Sequence, residues 1–168
     1  AGRFRHRHID DDQRAVIFGM PVAETSGDNV TYSTTPLGII ITEKNVITVC
    51  TRGNPVLDEF TDGAVKGVQT NLKTRFILHL MLRIATKYLQ YLKQIDKLRS
   101  HVERELRKSM KNSELIQLLD IEKSLVYFSS SLKGSEITIE KISRGRVVKL
   151  YEEDQDLLED VLIEVRQA

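Results

Sequence analysis

Between residues 77 and 102 the apolar side chains Ile77, Met81, Ile84, Tyr88, Tyr91, Ile95, Leu98 and Val102 alternate by four and three without interruption. A seam of that period runs almost straight along one side of a helix, so it demands a second helix lying nearly parallel to its axis. The pattern predicts one very long helix over 71–110. Its partner follows in the chain. Lys111-Asn112-Ser113 can break and recap the backbone, and Leu115, Leu118, Leu119, Leu125, Val126, Phe128 and Leu132 return at helical spacing. A helical hairpin of 71–110 against 113–133 is the economical packing. Gly134-Ser135 predicts a kink or short break before Ile137, Ile139 and Ile142, and Gly145 predicts another.

Ahead of the helices the sequence reads as strands. Residues 14–24 form a short apolar run, Ser26-Gly27-Asp28-Asn29 supplies turn chemistry, and Val30 to Thr35 is rich in β-branched residues. After Pro36-Leu37-Gly38, the run Ile39-Ile40-Ile41-Thr42 meets Val46-Ile47-Thr48-Val49 across Glu43-Lys44-Asn45, a hairpin whose continuous apolar strands predict a sheet covered on both faces. Asn54-Pro55 offers an N-cap with proline at the first helical position, opening a short helix to about Ala64. Strands first and helices second is the α+β order. The expected architecture is a partial β-sheet, then a long antiparallel helical hairpin, then a C-terminal helix from about Lys149 to Ala168.

An apolar fraction of 40% and a charged fraction of 29% belong to an ordinary globular chain, and 168 residues suffice for one domain with a core. The net charge of +1 gives no electrostatic call for nucleic acid. That balance conceals segregation. Arg3, Arg5, Arg7 and Arg14 crowd the start with His6 and His8, whereas residues 152–164 hold seven acids and no base. No apolar run approaches the ~20 residues that span a bilayer. The single cysteine, Cys50, excludes an intrachain disulfide and reads as a small apolar strand residue.

The sequence lacks a glycine-rich phosphate loop, HExxH, CxxC and GxSxG, so the chain reads as non-catalytic. His6 and His8 would share one side of a strand, but two imidazoles between arginines make a poor cation site. His79 and His101 read as ordinary helix residues. Asp10-Asp11-Asp12 offers carboxylate oxygens of the kind that hold hard cations such as Mg2+, although a solvated turn is the plain reading. The strongest local signal is the last segment. Leu150, Leu157, Leu158, Val161, Leu162 and Val165 line one side, while Glu153, Asp156, Asp160 and Glu164 stack on another by steps of three and four. Like charges so spaced cost an isolated helix roughly 0.2–0.5 kcal/mol per pair. The helix is amphipathic to its last residue with no stop signal, which predicts a helix that continues.

At these residues the chain resembles the CorA-type divalent-cation transporters in their cytoplasmic portion. The resemblance is carried by Pro36-Leu37-Gly38-Ile39-Ile40 with Val46-Ile47-Thr48-Val49-Cys50, by Lys73-Thr74-Arg75-Phe76-Ile77-Leu78, by the stretch from Leu115 to Phe128, and by the stretch from Tyr151 to Val161. It implies a funnel-shaped homopentamer with cytoplasmic α/β domains, helical hairpins and stalk helices running into two transmembrane segments, the first ending in Gly-Met-Asn. It also implies Mg2+ bound between neighbouring cytoplasmic domains, holding the pore shut, by an acid on the stalk helix and an acid near a strand of the adjacent subunit. The stalk acid falls on Asp160 and its partner on Asp12 or Asp11, with Asp156, Glu153 and Glu164 as further candidates.

The expectation is therefore a regulatory, ion-sensing domain from the cytoplasmic side of a plasma (inner) membrane protein, cut before its membrane helices. Residues 1–66 would supply the sheet, 67–148 the hairpin, and 149–168 the start of the stalk helix. The ion would be Mg2+, with Co2+, Ni2+ or Zn2+ open as alternatives, since carboxylates do not choose sharply. Partners would be further copies of the chain, divalent cations and, through the missing segments, the membrane, with no nucleic acid. The rival reading is a helical interaction module that docks a partner through the seam of 77–102.

Overall fold

The computed structural model describes residues 14–26, 29–109 and 111–168. Three antiparallel strands come first: β1 (Arg14–Ser26), β2 (Asn29–Ile41) and β3 (Val46–Cys50), in the order β1-β2-β3. The sequence predicts two pieces where β2 is one, because Pro36 reads as a break. The register removes the conflict. β2 meets β3 only from Leu37 onward, so the missing N–H of Pro36 falls just past the end of that ladder. Buried Thr35, Leu37 and Ile39 then carry the inward face straight through the proline.

Alternation on β1 places Val16, Phe18, Met20 and Val22 in the core. The expectation of a sheet covered on both faces fails among the described residues. Ile17 is 68% exposed, and Ile47 and Val49 are exposed beside it in the ladder. Around these residues the second face is bare, whereas at Gly19 it meets Ser131.

Helix α1 (Pro55–Thr61) starts as predicted, with Asn54 Oδ1 accepting the Val56 N–H at 2.8 Å. It stops three residues early, ahead of Gly63 at a φ of +69°. The Arg83 guanidinium grips Glu59, with Nε at 2.8 Å, and Phe60 meets Phe76 edge to face at 5.6 Å.

Helix α2 (Lys73–Ser109) is the predicted long helix, and six seam residues are buried: Ile77, Met81, Ile84, Tyr88, Ile95 and Val102. Tyr91 and Leu98 are half-buried beside them. Its partner α3 (Asn112–Ser143) runs ten residues beyond the predicted Lys133 end, unbroken through Gly134. The reason is burial. Leu132, Ser135, Ile139 and Ile142 continue the inward face, and that packing outweighs the roughly 1 kcal/mol that glycine costs a helix. The chain does turn at Gly145, whose φ is +67°. A short 3-10 turn over Glu152–Asp154 then leads into α4 (Gln155–Gln167).

One node ties the layers together. The Tyr88 hydroxyl lies 3.0 Å from the Gly19 carbonyl and 2.7 Å from Ser131 Oγ, joining α2, β1 and α3. A hydroxyl has one proton and the carbonyl can only accept, so Tyr88 donates to Gly19 and Ser131 donates to Tyr88. Burial pushes the Tyr88 phenol above its ordinary pKa, so it stays a donor at all working pH. Phe128 packs edge-on to the same ring at 4.9 Å.

Gly19 is needed there for space, since an added Cβ would stand 1.6 Å from Ser131 Oγ and 2.9 Å from Ser131 Cβ. Gly19→Ala is expected to lower stability by about 1–3 kcal/mol in urea titrations. An unchanged midpoint would mean that β1 does not approach α3 so closely. At Gly134 an added Cβ meets nothing within 4 Å, so Gly134→Ala is expected to raise stability by about 1 kcal/mol in the same assay. A loss at that position would point to a real break in α3.

Candidate functional site

The acidic segment is placed by its own apolar side. Leu158, Val161 and Val165 are buried, and they lay α4 along the hairpin. Val165 shares a small void with Met81, Ala85, Tyr88 and Leu132, where β1, α2, α3 and α4 converge. Arg166 reaches Glu136 of α3 at 3.2 Å, fixing the far end of the helix. Its acids are consequently turned outward. Asp156 and Asp160 are exposed one turn apart, and Glu164 is half-buried one turn later.

Among the described residues no base lies within 4 Å of the carboxylates of Asp156, Glu159, Asp160 or Glu164. Glu153 differs. It sits in the 3-10 turn before α4, with its carboxylate 3.6 Å from Arg75 Nη2 and its carbonyl accepting from that same nitrogen at 3.1 Å. The predicted row of four acids is therefore three residues of α4 plus one held by α2. Asp11 and Asp12 lie outside the described residues, as do His6 and His8. Among the described residues no three histidine, cysteine, aspartate or glutamate side chains converge on a point that could hold a metal. One copy thus offers an oxygen donor or two at Asp156 and Asp160. That suits a hard cation that keeps most of its waters and is completed by another element.

The residue that sequence reasoning passed over is Asp154. It is 4% exposed, its carboxylate accepts the Tyr151 N–H at 3.2 Å, and Arg75 Nε stands 3.5 Å away. With the Asp154 N–H donating to the Tyr151 carbonyl at 3.0 Å, this folds the start of α4 back on itself and clips it to the first turn of α2. Thr74 adds a hydrogen bond to the Lys149 carbonyl at 2.9 Å. An acid three residues after the capping position was the available signal. It was hidden among seven acids that look alike. His79 and His101 are ordinary helix residues, the first half-buried and the second exposed. Burial, and then the neighbouring Arg75, push His79 below its ordinary pKa, so it is neutral near pH 7. No described helix is long and apolar enough to cross a membrane.

A three-stranded sheet seated on a long two-helix arm, with an acid-faced helix laid along that arm, is a fold seen in solved structures. The soluble domain of CorA from Methanocaldococcus jannaschii superposes with a TM-score of 0.79 at 21% identity, over 95% of this chain and 64% of that one. The ZntB cytoplasmic domain from Vibrio parahaemolyticus RIMD 2210633 superposes at 0.71 with 12% identity, over 95% of this chain and 62% of that one. The chain thus spans less than two thirds of the length of either neighbour. No curated protein matches it. The class is that of α+β domains with a long helical arm. The chain belongs to the CorA-like Mg2+ transporter family, whose profile matches residues 3–168. That is a family of transporters and not of enzymes.

Asp154→Ala is expected to cost about 1–3 kcal/mol, because it strands the Tyr151 N–H and takes the buried partner from Arg75 Nε. Hydrogen exchange should accelerate first across residues 151–167. Asp154→Asn, which retains an acceptor, should lose less. Equal exchange in all three proteins would remove Asp154 from this role.

Proposed function

We propose that the chain is the ion-sensing regulatory part of a divalent-cation transporter, working on the cytoplasmic side of a plasma (inner) membrane. In this reading a Mg2+ ion sits between Asp160 on α4 of one copy and Asp12, or Asp11, of the adjacent copy in a homopentamer. Asp156, Glu164 and Glu153 add to the local negative field. Residues 1–66 form the sheet part, 67–148 the arm, and 149–168 the beginning of the stalk.

The observation that carries the reading is the outward Asp156–Asp160 pair on a helix whose other side is fixed to the body of the fold, with no base within 4 Å of it among the described residues. Unpaired like charges repel, and a divalent ion between copies turns that repulsion into attraction. The ion binds the closed arrangement better than the open one, so abundant ion makes the closed state dominant. Loss of the ion frees the repulsion and opens the assembly. Oxygen donors of this kind also accept Co2+, Ni2+ or Zn2+, and Mg2+ is favoured here by the family. The seam that a helical interaction module would use is buried within the chain, at Ile77, Met81, Ile84, Tyr88, Ile95 and Val102, which favours the sensor over that rival.

Titrating Mg2+ into the chain while following association by sedimentation velocity tests the reading. Mg2+ is expected to drive association, and Asp160→Asn to raise the Mg2+ needed at least about tenfold, as loss of a charged ligand worth over 1.4 kcal/mol requires. Asp12→Asn should do the same. Association that ignores both Mg2+ and Asp160→Asn would refute the sensor.

A further inference from the structure

We draw no further inference here: the strongest candidate, the exposed apolar row of Leu119, Val126 and Ile137 along the outward side of α3, carries none, because nothing in the structure shows what covers it.

Discussion

Burial of one side of α2 is the constraint on which the remaining structure depends. At 37 residues α2 is the longest element, and three different surfaces share its seam. The sheet meets it through Phe18, α3 through Phe128, Leu132 and Ile139, and α4 through Val165. Full burial of each large side chain contributes about 1.5–3 kcal/mol, so the six buried seam residues outweigh any surface ion pair described above. The acids of α4 face outward because Leu158, Val161 and Val165 are drawn inward to this seam.

That hierarchy explains what was legible in the sequence. Periodicity reports burial, so α2 could be read from its four-three rhythm, and α4 from its apolar stripe. The Asn54-Pro55 signal works through one local hydrogen bond and located α1 for the same reason. The misreadings came where local preference and tertiary packing disagree. Gly134 and Pro36 both look like breaks, yet buried Leu132 and Ser135 flank the first, buried Thr35 and Leu37 flank the second, and they hold each element together. Ile17, Ile47 and Val49 show the opposite error, since an apolar strand residue was taken to be covered and is exposed in the structure.

The candidate site was partly legible. Asp160 and Asp156 stand outward on α4 as their spacing required, while Glu153 is drawn to Arg75 and Asp154 is buried. Carboxylates read alike in sequence. What separates them is a guanidinium that is 78 residues away in the chain, and no local pattern reports that partner. The partners Asp12 and Asp11 fall outside the described residues, so their pairing with Asp160 stands on the resemblance alone.

The close approach at Gly19 has a mechanical consequence. On β1 the neighbours Phe18 and Met20 carry large buried side chains, and Ser131 leaves room at Gly19 for a hydrogen atom only. A slip of β1 by one residue would drive one of those side chains into α3. The glycine acts as an indexing notch, fixing the sheet against the arm along the strand direction, and the Tyr88 hydroxyl locks the same point to α2. Sliding between sheet and arm is thereby blocked. A push delivered to one of them is carried to the other as displacement of a single stiff body.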